Sequence, residues 1–365
     1  MTSISRARYI IATGGTGGHI FPALAVADEL AARNPQATIL FAGGSGPEGD
    51  MARAHGLDFI ELPARGIMGR GLSGMAGGLA WLGKGLPKAL AAVRRFRPDA
   101  VIGFGGYASF CPVLAAALLG VPTAVHEQNS VPGVTNKVLG KVAKRIFLSF
   151  PDARGAFPAA KTVLTGNPVR ADILAAGAAR ATAAGRIPGK RVLVLGGSQG
   201  ARPVNDGIIA ALPRLLAGGV RLTHQTGTAD FDRVRAAYET AHADPAQVRD
   251  FIADMGAEYS RADLAVCRAG ATTVFEVAAA GVATIFVPFP QATHDHQTMN
   301  AKAMADKGAA RLLPQGELTG ERLAVEVFDL LADTARLESM ERAARAFARP
   351  RAASDIAAGL EALAA

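Results

Sequence analysis

Short apolar runs alternate with longer amphipathic ones along most of the chain. Tyr9-Ile10-Ile11-Ala12, Thr38–Ala42, Asp58–Leu62, Ala100–Phe104 and Thr123–Val125 have the length of strands. Ala23–Leu30, continuing to about Arg33, and Pro87–Arg95 carry apolar residues at helical spacing. The alternation resumes further on. Arg191–Leu195, Arg221–Thr226, Val248–Ile252, Leu264–Cys267 and Ala283–Val287 read as strands, and Asn205–Leu216 and Phe231–His242 as helices. Ala171–Lys190 reads as a short helix and a loop, and Leu323–Ala365 as helix interrupted by Pro350. Strand and helix in alternation predict an α/β protein with parallel sheets covered on both faces. Gly66–Lys84 breaks the rhythm and, being rich in glycine, reads as a loop.

The ends of the strands carry the chemistry. Gly14-Gly15-Thr16-Gly17-Gly18-His19 follows the first strand and leads into a helix, with Pro22 expected in its first turn. Strand, glycine turn and helix aim N–H groups and a positive helix end at an anion, and His19 stands at the mouth of that turn. No Gly-Lys-Ser/Thr follows, so this is not a P-loop. The spacing is not G-x-G-x-x-G, and the second strand ends without the acidic residue a dinucleotide ribose needs. Gly196-Gly197-Ser198-Gln199-Gly200-Ala201 is a second turn of the same kind, and Gly105-Gly106-Tyr107 a third, on the same edge of the first sheet as the first turn. His126-Glu127-Gln128-Asn129 closes another strand, where four polar side chains need partners or water, and they read as cleft lining. After Cys267, the helix start Ala271-Thr272-Thr273 again suits an anion, and Glu276 one turn deeper suits a diol. His294-Asp295-His296 lacks the spacing of a metal site. Asp230-Phe231-Asp232 opens an ordinary helix.

A chain of 365 residues predicts two domains, drawn here as 1–165 and 166–349, with the hinge at Thr165–Arg170 and the last helix, 350–365, returning to the first domain. The net charge of +8 resides in the first half: residues 1–165 hold 17 Lys/Arg against 9 Asp/Glu, and the rest is balanced at 22 each. A basic half suits an anionic substrate or bilayer. Sparse aromatics and the lack of a nucleic-acid motif argue against nucleic acid. Leu72, Met75, Leu79, Trp81 and Leu82, edged by Arg70, Lys84 and Lys88, are the candidate membrane patch. No run is long enough to span a bilayer, and Met1–Arg8 has no signal-peptide character, so secretion is not expected. The two cysteines, Cys111 and Cys267, read as buried thiols in a reducing compartment.

The ordered motifs Gly14–His19, Gly105–Tyr107, His126–Asn129, Gly166-Asn167-Pro168-Val169-Arg170, Gly196–Ala201 and Cys267–Gly270 together resemble the MurG family of bacterial N-acetylglucosaminyltransferases, glycosyltransferase family 28. The resemblance covers about Tyr9 to Arg349. It implies a GT-B fold, two Rossmann-like domains facing across a cleft. It implies inverting transfer of N-acetylglucosamine from UDP-N-acetylglucosamine to the muramoyl 4-hydroxyl of lipid I, giving lipid II for the peptidoglycan cell wall, with no cofactor or metal. On this likeness Ser198, Thr272 and Thr273 hold the donor diphosphate and Arg170 adds positive charge there, Ala271, Val274 and Phe275 belong to the UDP-N-acetylglucosamine site, Glu276 binds the ribose, the Ile252 backbone the uracil and Gln297 the sugar hydroxyls. His296 stands where many relatives carry Gln, so one sugar contact departs from the pattern. Thr16, Gly17, Gly18 and Asn129 reach the donor sugar, and Gly105, Gly106 and Tyr107 take the acceptor diphosphate. His19 is the candidate base, kept neutral by the helix N-terminus, and Glu127 is its rival. The likeness also implies a peripheral place on the cytoplasmic face of the inner membrane, beside other cell-wall proteins. A UDP-N-acetylglucosamine 2-epimerase of the same fold and a non-catalytic sugar-nucleotide sensor are the alternatives.

Overall fold

The computed structural model describes residues 6–63, 71–182, 189–197, 199–292 and 295–365; the side chains of 71–81 and of Pro245 lie outside that description. The described chain forms two units, Met1–Val169 with Arg349–Ala365, and Arg170–Ala348.

The first unit is built on strands β1 (Arg8–Ala12), β2 (Thr38–Gly43), β3 (Asp58–Glu61), β4 (Ala100–Gly103), β5 (Thr123–Glu127), β6 (Arg145–Leu148) and β7 (Thr162–Leu164). They pair all-parallel in the order β3-β2-β1-β4-β5-β6-β7. Along β1 the side chains alternate between two cores: Tyr9 and Ile11 in one, Ile10 and Ala12 in the other, so both faces are dry. Helices α1 (Gly17–Arg33), α2 (Glu48–Ala54), α3 (Gly71–Phe96), α4 (Phe110–Leu118) and α5 (Val134–Val142) connect the strands. The C-terminal helix α14 (Ala352–Ala364) joins this unit. Its Ile356, Ala357 and Leu360 enter the core beside Ile20, Leu24 and Phe41. Burying Ile356 and Leu360 contributes about 1.5–3 kcal/mol each. Arg33 clasps the end of α14 through Glu361 at 2.6 Å.

The second unit carries β8 (Arg191–Leu195), β9 (Arg221–Gln225), β10 (Val248–Arg249), β11 (Leu264–Cys267), β12 (Ala283–Phe286) and β13 (Ala310–Leu312), parallel in the order β10-β9-β8-β11-β12-β13. Its helices are α6 (Ala171–Thr182), α7 (Arg202–Ala217), α8 (Phe231–Thr240), α9 (Met255–Arg261), α10 (Ala271–Ala280), α11 (His296–Ala305), α12 (Gly320–Ala332) and α13 (Thr334–Phe347). Arg180 on α6 is buried. It donates to the carbonyls of Tyr259, Ser260, Ala262 and Gly281 and pairs with Glu341 at 2.7 Å, tying α6 to the end of α9, the end of α10 and α13.

Three expectations need correction. Helix α1 starts at Gly17, so Pro22 lies at its sixth position and not in the first turn. Gly66–Lys84 is not a loop throughout: α3 begins at Gly71 and runs through the glycines to Phe96. Leu82, Leu86, Ala89, Leu90 and Val93 pack its C-terminal part on the core. Once a helix is anchored, extending it costs far less than starting it, and glycines at ~1 kcal/mol each do not stop it. Strand β10 ends at Arg249, and beyond it the Phe251 N–H is taken by Asp250 Oδ1 at 2.8 Å. Helices α2, α5, α9 and α11 and strands β6, β7 and β13 carried no expectation.

Candidate functional site

In each unit the strand order reverses direction next to its first strand, between β1 and β4 and between β8 and β11. Ligands of open parallel sheets bind outside the strands' carboxyl ends at such a switch point. Both glycine turns of the first unit meet there. Gly105 and Gly106 have φ of +83° and +71°, and a Cβ on Gly106 would stand 2.4 Å from the Gly14 carbonyl oxygen. The backbones therefore touch, and only glycine fits. A Cβ on Gly105 would meet the His19 ring at 3.2 Å, so that glycine seats the imidazole.

His19 lies in the first turn of α1, half-buried, its N–H bonded to the Thr16 carbonyl at 3.0 Å. Thr16 is exposed at the N-cap position, and Gly17 and Gly18 open the helix. His19 Nδ1 stands 3.2 Å from Gln128 Oε1. Gln128 Nε2 in turn lies 2.7 Å from the Phe104 carbonyl and 3.2 Å from His126 Nδ1. His126 Nε2 reaches the Gly166 carbonyl at 3.2 Å. His126 is fully buried, and desolvation lowers its pKa to about 4, so the ring is neutral at ordinary pH.

Glu127 is also buried, and burial raises its pKa. Its Oε1 accepts from the Asn129 N–H at 2.9 Å; its Oε2 accepts from the Gly133 N–H at 3.0 Å and from Asn136 Nδ2 at 2.9 Å. Both oxygens thus hold the loop from Asn129 to Asn136 in place. Tyr107 and Asn129 are half-buried beside these groups in sequence. Glu48, which carried no expectation, is buried against the same turn: its Oε1 accepts from the Gly44 N–H at 2.7 Å and would sit 2.8 Å from a Cβ on Gly14.

In the second unit, Gly200 and Gly227 make the matching close approach; a Cβ on Gly227 would stand 2.4 Å from the Gly200 nitrogen. Ser198 lies outside the described residues. Helix α10 starts just past β11 with Gly270 at its N-cap position, which turns N–H groups and a positive helix end outward at Ala271–Thr273. Thr272 and Thr273 are half-buried, while the side chains of Val274 and Phe275 are in the core, so only their backbone is near the helix start.

Glu276 is 7 % exposed and pairs with Arg170 at 3.3 Å, and Tyr259 donates to its other oxygen at 3.4 Å. Burial raises the Glu276 pKa, against the opposing pull of Arg170. Gln297 Oε1 accepts from the N–H groups of Ala269, at 3.3 Å, and Phe289, at 3.0 Å, linking the loops after β11 and β12. Arg268 reinforces the same loops, donating to Val287 and Pro288 carbonyls and to Gln315. Ile252 is buried. Of the proposed membrane residues, Leu82 packs partly buried on the core, and the side chains of Leu72, Met75, Leu79 and Trp81 lie outside the described residues. The sequence does not single out Gln128, Tyr259 or Arg268 individually, since nothing in their local pattern shows which neighbour their side chains address.

Comparison with known proteins places the arrangement. Residues 9–148 match the glycosyltransferase family 28 N-terminal domain, and residues 191–356 match its C-terminal domain. The chain is 52% identical to a UDP-N-acetylglucosamine–N-acetylmuramyl-(pentapeptide) pyrophosphoryl-undecaprenol N-acetylglucosamine transferase of Nitratidesulfovibrio vulgaris, over 98% of this chain and 97% of that protein. The crystal structure of Acinetobacter baumannii MurG superposes with a TM-score of 0.75 at 36% identity, covering 98% of this chain and 99% of the other. A UDP-GlcNAc 2-epimerase from Neisseria meningitidis shares the fold, with a TM-score of 0.67 and 97% and 100% coverage, but only 13% identity.

Proposed function

The chain belongs to glycosyltransferase family 28, and from that premise we propose that it moves N-acetylglucosamine from UDP-N-acetylglucosamine to N-acetylmuramyl-(pentapeptide) pyrophosphoryl-undecaprenol, lipid I, giving lipid II. The observation that carries this reading is 52% identity to a transferase of that name across nearly all of both chains. The epimerase shares the fold alone, at 13% identity, and needs no acceptor.

In the proposed mechanism, the acceptor 4-hydroxyl attacks the anomeric carbon from the face opposite UDP, so configuration inverts. His19 takes the hydroxyl proton. Its place supports this role: a first-turn helix position, seated on Gly105 and directed by Gln128. Glu127 fits a structural role better, since its two oxygens already accept three hydrogen bonds. Charge gathering on the departing diphosphate meets the N-terminus of α10, with Thr272 and Thr273, and the guanidinium of Arg170. This reading calls for no metal or cofactor. Glu276, as a buried carboxylate, retains acceptor capacity for the ribose hydroxyls beside its bonds to Arg170 and Tyr259.

The basic first half and the apolar positions on α3 support peripheral docking of the enzyme on an anionic membrane, where its lipid-linked acceptor resides. No described helix is long and apolar enough to cross a bilayer.

The test is UDP release with and without a soluble lipid I analogue. Wild type should release UDP only with acceptor, and His19→Ala should lose roughly 10²–10⁴ of that rate while still binding donor. Release that survives in His19→Ala moves the base elsewhere. Release without acceptor dependence overturns the transferase reading.

A further inference from the structure

The two ring nitrogens of His19 are not equivalent, and the hydrogen-bond chain behind the ring decides between them. The Phe104 carbonyl can only accept, so the Gln128 atom at 2.7 Å from it is the amide NH2. The Gln128 oxygen therefore faces His19 Nδ1. The same NH2 lies 3.2 Å from His126 Nδ1, which must accept, leaving the His126 proton on Nε2. There it meets the Gly166 carbonyl, again an acceptor only. Ser149 Oγ, 3.3 Å from that nitrogen, donates to Asn167 and so accepts from His126. The chain begins and ends on backbone acceptors, which leaves one consistent arrangement of protons. Protonating His126 would place an N–H against the Gln128 NH2 and break it; complete burial of His126 opposes that.

We propose that Gln128 is a positioning residue for sugar transfer: it accepts the Nδ1–H of His19, holds the imidazole in that tautomer, and so puts the lone pair on Nε2. This rests on reading His19 as the base. In the transfer step the acceptor hydroxyl proton passes to Nε2 and the acceptor oxygen bonds the anomeric carbon. The bond from that carbon to the UDP oxygen breaks, and its electron pair leaves with UDP. A free imidazole favours its proton on Nε2, the tautomer that cannot accept there, so orientation by a partner matters. An amide supplies that orientation without the negative charge of a carboxylate, which would stabilise the imidazolium and hold back the return of the proton. His126 acts one step further out, by fixing which way the Gln128 amide points.

The experiment is ¹⁵N NMR of the full chain labelled at histidine, with His19 assigned by difference from His19→Gln. At pH 8, wild-type His19 should show a protonated Nδ1 and an unprotonated Nε2. Gln128→Met, of similar length but without an acceptor, should shift the signals toward Nε2–H. In steady-state kinetics it should lower kcat roughly ten- to hundred-fold and leave the donor KM within about twofold. Wild-type His19 carrying its proton on Nε2 overturns the proposal, whether or not the variants fold. So does an unchanged tautomer in folded Gln128→Met. If the spectra are as expected but His19→Ala keeps full turnover, it is the base assignment that fails, and the relay loses its catalytic purpose with it.

Discussion

Glycines with left-handed backbone have roles that differ with what lies beside them. Gly106 combines φ of +71° with a would-be Cβ 2.4 Å from the Gly14 carbonyl, whereas Gly120 has φ of +77° with nothing within 4 Å. Gly120→Ala should therefore cost only about 1–2 kcal/mol for left-handed backbone and leave turnover intact. Gly106→Ala adds a clash between two backbones and should cost at least roughly 2 kcal/mol more, while displacing the turn that seats His19. Urea unfolding and acceptor-dependent UDP release check the pair; equal costs would show that the close approach is unimportant. The glycines and His19 could be singled out from sequence because a glycine turn between a strand and a helix has few other uses. Gln128 could not, since a glutamine among four polar residues gives no sign of which neighbour its amide addresses. Glu127 and Gln297 show the same limit: their carboxylate and amide oxygens are engaged by backbone N–H groups that only the folded loops bring near.

At the scale of elements, most strands stood out because a fully buried parallel strand is a short unbroken apolar run bounded by turn residues. Helix α3 shows where local pattern misleads. Its glycines argue for a loop, but the anchored half from Leu82 to Val93 carries the helix back to Gly71. The candidate membrane positions thus lie on helical backbone, with Leu82 turned partly onto the core. For a peripheral enzyme, Leu79→Ser with Trp81→Ser should weaken binding to vesicles containing anionic lipid and spare turnover of a soluble acceptor, as measured by cosedimentation and UDP release. Unchanged cosedimentation would remove α3 from any docking surface. The two-residue strand β10 is the opposite case: the apolar pair Phe251-Ile252 continues the pattern, while the Phe251 N–H is taken by the Asp250 side chain.

Across the whole molecule, a fully buried histidine sits in a strand of each sheet, His126 on β5 in the first unit and His224 on β9 in the second. Burial lowers their pKa values from 6.5 to about 4 and about 3. Between pH 6.5 and 4 the unfolded chain binds protons that the folded chain refuses, so stability falls as pH falls through that window. The slope is about 1.4 kcal/mol per pH unit for each histidine, or roughly 2 kcal/mol apiece by pH 5. Urea unfolding at pH 7.5 and 5 measures this, and His224→Gln should show a shallower loss; an identical loss would mean His224 titrates normally. The sequence by itself determined the α/β class, the recurring strand–turn–helix units and the family, because apolar periodicity and glycine turns are local signals. Only the tertiary structure decided that Gly106 rests on Gly14, that α14 fills the first core and that Arg170 meets Glu276. It alone fixed the direction of the His19–Gln128–His126 chain. Those depend on which distant atoms become neighbours and on which neighbour can only accept a hydrogen bond, and neither is written in any single stretch of the chain.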